Sequence, residues 1–226
     1  MILAKSKKEE QLYEYLKGFL SENKLQKIEN LAGQRTRFVV SVIEDMYQFR
    51  NAAAIVRSME AFGFQQLYAL EKLNSFKPET AVSRGADKWI DIDFLKSGEE
   101  SLQKIKDLGY QLVAVSPESE AIDIHDFTLT QPTALIFGTE FKGVMQETLN
   151  FADTCIKIPM LGFTESLNVS VAAGICFYEM RNKLENSCLN WKLSEEEQLK
   201  IKIKWAVNSI SSGKEIAQHF IKSFKI

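Results

Sequence analysis

The spacing of hydrophobic positions differs between the two ends of the chain and its middle. Near the start, Leu12, Leu16, Phe19 and Leu20 recur at helical spacing, and a second stretch of the same kind ends at Gly33. Residues three or four apart lie on one face of a helix, and glycine commonly follows a helix end. The pattern predicts two short helices at the N-terminus.

The middle of the chain contains five short apolar runs, rich in β-branched residues, that alternate with stretches of helical spacing. Continuous apolar strands of this kind are buried on both faces of a sheet. The pattern therefore predicts an α/β domain with a parallel sheet covered by helices on both faces. The predicted strands are 38–43, 67–70, 112–115, 133–137 and 155–158, and the predicted helices are 52–62, 99–107, 144–150 and 168–185.

The last part of the chain returns to helical spacing. Ser194 and Glu197 have the spacing of a capping box, in which the two residues satisfy free amide groups at a helix start. A last short helix follows Gly213. We predict a helical N-terminal extension at residues 1–34, an α/β domain at 35–187 and a helical C-terminal extension at 188–226.

Charge is distributed unevenly along the chain. Residues 1–40 and 191–226 each carry a net charge of +3, whereas residues 41–190 carry −8, and the whole chain carries −2. Basic helical ends are often only solvated surfaces. They are also suited to contact a polyanion such as a nucleic acid. Both interpretations remain open at this level.

Composition excludes several classes of protein. With 226 residues, 45% of them hydrophobic, the chain is neither collagen-like nor disordered. His125, His219 and the three cysteines show no metal-ligand spacing, so we expect no metal site. The start lacks the apolar segment of a signal peptide, and no apolar run is long enough to span a membrane. We expect a soluble, cytoplasmic protein without disulfides.

The loops that follow the predicted strands indicate where a ligand binds. Parallel sheets bind nucleotide-like ligands at the carboxyl ends of their strands. Residues 43–51, after the first strand, contain no glycine, which excludes a dinucleotide fingerprint or a phosphate-binding loop there. The loops that do contain glycine are 138–143, with Gly138 and Gly143, and 158–162, with Gly162. Such loops offer backbone groups to an adenine and an amino-acid moiety.

Three segments together resemble the signature motifs of the SpoU family, the RNA ribose 2'-O-methyltransferases of the SPOUT superfamily. These segments are NAAAIVRSMEAFGF at 51–64, LIFGTEFKG at 135–143 and IPMLGFTESLNVSVAAG at 158–174. The resemblance covers about residues 35–185. It implies a methyltransferase domain that uses S-adenosylmethionine, contains a C-terminal trefoil knot and forms a homodimer.

The short helical extensions are similar to one branch of this family. That branch methylates the 2'-hydroxyl of a guanosine in the D-loop of tRNA, at position 18, so the resemblance implies a tRNA partner. It also suggests that the basic ends contact the RNA. Methylation of ribosomal RNA or of another tRNA site remains an alternative, as does a catalytically inactive RNA-binding relative.

The resemblance assigns residues to the site. It assigns catalysis to Asn51, Arg57, Glu140, Ser166 and Asn168, and cofactor binding to Gly138, Ile158 and Leu167. Val115, at the end of a predicted strand, is a further candidate for the wall beside the adenosine. Since a guanidinium normally keeps its proton, we expect Arg57 to orient a phosphate and stabilise developing charge.

Most of these residues also have ordinary structural interpretations. Arg57 could pair on the surface with Glu60, three residues later, and Asn51 could be a helix N-cap. Glu140 could accept hydrogen bonds from its own loop, and either Ser166 or Asn168 could cap the long helix that follows. Many relatives have a proline just before Asn51, where this chain has Phe49-Arg50.

Overall fold

The structure is a computed structural model that describes residues 2–73, 84–118, 120–139 and 142–223. By its internal contacts the chain divides into two compact units, Arg37–Trp191 and a helical unit made of Met1–Thr36 with Lys192–Ile226. The elements in chain order are α1 (Ile2–Lys17), α2 (Glu22–Ala32), β1 (Val39–Glu44), α3 (Phe49–Ala61), β2 (Gln66–Glu71), the short 3-10 helix Ala86–Lys88, β3 (Asp91–Lys96), α4 (Glu99–Asp107), β4 (Gln111–Val115), β5 (Ile122–Asp123), β6 (Thr133–Phe137), α5 (Gln146–Phe151), β7 (Thr154–Lys157), α6 (Val169–Glu185), α7 (Glu195–Ser209) and α8 (Gly213–Ser223).

The larger unit is built on a seven-stranded sheet with the order β3-β2-β1-β6-β4-β7-β5. Every strand pair in it is parallel, which confirms the predicted parallel sheet. The central strands β1 and β6 are buried along their whole length. One apolar cluster contains Val39 and Ile43 and the other contains Val40 and Val42, so alternate residues of β1 contribute to two cores.

Two strands of the sheet were not predicted from the sequence. β3 lies at one edge, and only part of its surface is buried. Its polar residues, among them Asp91 and Asp93, remove the continuous apolar signal that a central strand has. β5, at the other edge, is only two residues long. Edge strands meet solvent, so composition alone does not distinguish them from loops.

The start of α3 corrects one prediction. The helix begins at Phe49 and its N-cap is Gln48, so the interpretation of Asn51 as an N-cap is wrong. Asn51 lies in the first turn, where its side chain is 7% exposed. At the other motif helix, the N-cap of α6 is Asn168, whose side chain accepts a hydrogen bond from the Ser170 amide. Asn168, and not Ser166, is therefore the residue that caps this helix.

The helical unit consists of α1, α2, α7 and α8, with α7 packed against α1 and α2. The predicted capping box at α7 is confirmed, since Ser194 Oγ accepts from the Glu197 amide at 3.3 Å and the Ser194 amide donates to Glu197 at 2.9 Å. Glu29 of α2 joins three helices, because it accepts from Tyr13 of α1 and pairs with Lys202 of α7. None of the helices described here has the length and apolar character needed to cross a membrane.

Candidate active site

A cavity of about 610 Å³ lies in the larger unit at the carboxyl ends of several strands. Its walls come from the residues that follow β4, β6 and β7 and from the first turns of α3 and α6. Small-molecule sites occupy roughly 300–1,000 Å³ and occur at this edge of α/β sheets. The position and volume of the cavity are therefore those of a ligand site.

The loop after β6 forms one wall of this cavity. The Thr139 amide donates to Gly143 O at 2.9 Å and the Gly143 amide donates to Thr139 O at 3.0 Å, so the loop folds back on itself. A Cβ on Gly138 would lie 2.0 Å from the carbonyl carbon and oxygen of Gly143 and 2.1 Å from the Val144 nitrogen. Only glycine permits this approach. Gly138, Thr139, Lys142 and Gly143 all line the cavity.

A chain of side-chain amides joins the starts of α3 and α6. Asn168 Oδ1 accepts from the amide and the hydroxyl of Ser170, at 2.9 and 2.6 Å, and Asn168 Nδ2 donates to Asn51 Oδ1 at 3.1 Å. Asn51 Nδ2 donates in turn to Gln48 Oε1 at 3.4 Å. Gln48, Asn51 and Asn168 line the cavity. Their hydrogen bonds hold the two helix starts together on one wall.

The structure brings most of the candidate site residues from the sequence to this cavity. Lining it are Asn51, Val115, Gly138, Ile158, Ser166, Leu167 and Asn168. Arg57 does not line it; its side chain is exposed on α3, six residues after the buried Asn51. Six residues are about one and two-thirds helical turns, so the two side chains leave α3 in different directions. Glu140 lies outside the described residues.

Several further lining residues were not singled out from the sequence. Gln48, Ser116, Lys142, Lys157 and Glu165 add hydroxyl, amide and charged groups to the walls. Two of these positions, 142 and 165, fall inside the motif segments and could have been found there. The described residues contain no group of three or more His, Cys, Asp and Glu side chains arranged to hold a metal ion.

A buried carboxylate lies behind the glycine loop. Glu44, the last residue of β1, has no exposed surface; it accepts from the Met145 amide at 3.0 Å and from the Thr148 hydroxyl. Burial raises the pKa of Glu44, although the hydrogen bonds from Thr148 and Met145 oppose that rise. A single glutamate at a strand end carries no distinctive sequence pattern, so it was not among the candidates.

A parallel sheet with a cavity of this size at its carboxyl edge is typical of α/β proteins that bind a nucleotide-like ligand. The chain belongs to the SpoU rRNA Methylase family, whose profile matches residues 38–178.

Several similar curated proteins have the name tRNA (guanosine(18)-2'-O)-methyltransferase. The protein from Borreliella burgdorferi is 33% identical over 84% of this chain and 87% of its own length. The Aquifex aeolicus protein is 32% identical over 84% of this chain and 91% of its own. A 23S rRNA (guanosine-2'-O-)-methyltransferase from Pseudomonas syringae pv. tomato is 30% identical, but over 61% of this chain and 56% of its own length.

Solved structures show the same similarity. The crystal structure of the A. aeolicus TrmH/SpoU tRNA modifying enzyme matches with a TM-score of 0.76 and 32% identity, over 84% of this chain and 98% of that one. The SpoU methyltransferase AviRb from Streptomyces viridochromogenes, in complex with the cofactor AdoMet, matches with a TM-score of 0.61 and 26% identity, over 68% of this chain and 63% of that one.

Proposed function

We propose that this protein transfers a methyl group from S-adenosylmethionine to the ribose 2'-hydroxyl of guanosine 18 in the D-loop of tRNA. The observation that carries the proposal is the similarity to tRNA (guanosine(18)-2'-O)-methyltransferase over 190 residues, which extends beyond the family match at residues 38–178. The similarity to a ribosomal RNA enzyme extends over only 140 residues.

The cavity fits S-adenosylmethionine in size and in chemistry. Its volume of about 610 Å³ suits a ligand of this class. Val115, Ile158 and Leu167 give apolar walls for an adenine, and the loop at Gly138 and Gly143 brings backbone groups close to it. When bound, S-adenosylmethionine supplies an electrophilic methyl group on a sulfonium.

The residues of the chain align and activate the ribose. Methyl transfer to a hydroxyl is an in-line displacement, and holding the two reactants in line removes roughly 7–11 kcal/mol of barrier at most. The Asn51–Asn168 hydrogen bond holds the starts of α3 and α6 together on one wall, and Ser166 lines the same cavity. Arg57 does not line the cavity; from its exposed position on α3, its proposed role is to orient a substrate phosphate and to stabilise the charge that develops on the 2'-oxygen. The proposed role of Glu140 is to shape the same site.

We also propose separate roles for the central domain and for the two extensions of the chain. Residues 35–187 form the methyltransferase domain, and the extensions at 1–34 and 188–226 contact the tRNA. Residues 1–40 and 191–226 each carry a net charge of +3, which favours binding to phosphates. A tRNA substrate makes the cytoplasm the expected location of the protein.

A homodimer and a trefoil knot are further parts of the proposal. Val171, Ile175 and Tyr178 place apolar side chains along one exposed face of α6, and Leu161 and Phe163 are fully exposed in the loop before it. Contiguous exposed apolar surface of this kind marks an interaction site. We propose that two copies meet through this face and that the chain is knotted in the C-terminal half of the sheet.

Methylation of purified RNA tests the proposed function. The protein is incubated with methyl-labelled S-adenosylmethionine and either unmodified tRNA or ribosomal RNA, and the modified ribose is mapped by primer extension at low nucleotide concentration. We expect label in tRNA at guanosine 18, and none in a matched tRNA carrying 2'-deoxyguanosine there. Label confined to ribosomal RNA, or to another tRNA position, would overturn the proposal.

A further inference from the structure

The buried carboxylate of Glu44 connects β1 to the start of α5. It is fully enclosed at the carboxyl end of β1, where it accepts from the Met145 amide at 3.0 Å and from the Thr148 hydroxyl. A buried polar group is unfavourable unless it is hydrogen-bonded. Both donors lie about a hundred residues later in the chain, so the contact stabilises tertiary structure rather than a local turn.

The donors of this contact come directly after the glycine loop. Lys142 and Gly143 line the cavity, Val144 is buried in the core, and Met145 is the next residue. Gly143 packs so closely against Gly138 that a Cβ added to Gly138 would lie 2.0 Å from the carbonyl group of Gly143. A shift of Met145 would therefore also move Gly143, two residues earlier, which is part of the cavity wall.

We propose that Glu44 is a positioning residue for the S-adenosylmethionine site, acting through Met145 and Thr148 to hold Gly143 against Gly138 at the end of β6. Glu44 does not line the cavity. Its effect on the ligand arises from the placement of Gly138 and Gly143. The identity of this ligand rests on the function proposed above.

Hydrogen-bond geometry, rather than charge, is what this role requires. One oxygen must accept from the Met145 amide, and the other must share a hydrogen with Thr148, whose hydroxyl both donates and accepts. A glutamine meets both requirements, because its carbonyl accepts and its amide donates. A leucine of similar volume meets neither. The raised pKa of the buried Glu44 carboxyl agrees with a role that does not need a charge.

Calorimetric titration with S-adenosylmethionine separates these variants. We expect Glu44→Leu to raise the Kd by about tenfold or more, and Thr148→Val, which removes one of the two bonds, by roughly threefold. Glu44→Gln should stay within about twofold of the parental Kd. The matched control is Thr133→Val, at the opposite end of β6, where a buried hydroxyl bonds Gln131 O and Gln111 at 2.9 and 2.8 Å.

Hydrogen exchange in the ligand-free protein gives a second measurement. The amides of Gly143 and Met145 should exchange faster in Glu44→Leu and Thr148→Val, and at the parental rate in Thr133→Val. If Glu44→Leu does not fold, Thr148→Val carries both measurements. Folded variants that bind S-adenosylmethionine and protect these amides like the parent would overturn the inference. If the parent itself does not bind the cofactor, the proposed function fails, and the exchange rates alone decide whether Glu44 holds the loop.

Discussion

The side-chain amide of Asn168 donates a hydrogen bond of 3.1 Å to the side chain of Asn51, 117 residues earlier in the chain. Asn168 also caps α6 through its oxygen, so each half of its amide has a separate task. Asn168 Nδ2 bonds Asn51 of α3, and Asn168 Oδ1 caps the first turn of α6. The two tasks can be separated by substitution.

Replacing Asn168 by Asp should separate stability from catalysis. The carboxylate keeps the cap to Ser170 but cannot donate to Asn51, so we expect near-parental unfolding free energy and methyl transfer slowed by roughly tenfold or more. Asn168→Ala loses the cap as well and should cost about 1 kcal/mol of stability in addition. Thermal unfolding and single-turnover methylation measure the two effects. Equal stability loss in both variants would contradict the separation.

The substitution Gly138→Ala should disrupt the cavity wall. The added methyl would meet the backbone of Gly143 and Val144 at 2.0–2.1 Å, so the loop must move. We expect a loss of several kcal/mol of stability, since overpacking typically costs about 1–3 kcal/mol or more, and weaker binding of S-adenosylmethionine. Gly162→Ala is the control, because a Cβ there approaches nothing nearer than 4.0 Å. The prediction is wrong if both variants bind and unfold alike.

Arg57→Ala should impair catalysis without affecting the fold. The side chain is exposed on α3, so the unfolding free energy should change by less than about 0.5 kcal/mol. We expect kcat for tRNA to fall by roughly a hundredfold, as when one stabilising donor is removed from an active site. The Kd for S-adenosylmethionine should be unchanged. A variant that methylates tRNA at the parental rate would exclude the assigned role.

Acidification should weaken the helical unit through Glu29. Burial alone would raise the pKa of Glu29, but hydrogen bonds from Lys202 and Tyr13 and the charges of Lys202 and Lys17 lower it below 4.5. The ionised carboxylate therefore stabilises the fold above the unfolded-state pKa, and this contribution is lost as pH falls through the lower folded-state pKa. Unfolding curves of the parent and of Glu29→Gln should differ at neutral pH and converge well below pH 4.5. A constant difference at every pH would contradict this linkage.

Neutralising exposed basic residues of α8 should reduce the salt dependence of tRNA binding. Lys214 and Lys222 are exposed there. If each contacts a phosphate, Lys→Gln at either position should lower the slope of log K against log salt by roughly one. Lys104→Gln, on α4 and paired with Glu100, serves as the control. An unchanged slope in the α8 variants would mean that their charges face solvent only.

The central part of the sheet could be predicted because burial on both faces selects apolar, β-branched residues. β1 and β6 have that composition and are enclosed along their whole length. β3 could not be found in this way, because an edge strand retains polar residues such as Asp91 and Asp93. The N-cap was wrongly assigned to Asn51 for a related reason. An asparagine near a helix start can be the N-cap or lie in the first turn, and its identity alone does not distinguish the two positions.

The sequence by itself determined the sheet type, the capping box at Ser194 and the motif segments that supply most of the cavity wall. Spacing and composition suffice for these features, because each depends on neighbouring residues. Only the tertiary structure placed Asn51 against Asn168 and enclosed Glu44 beneath Met145 and Thr148. Those contacts join residues that lie far apart in the chain and that meet only because parallel strands carry their carboxyl ends to one edge of the sheet.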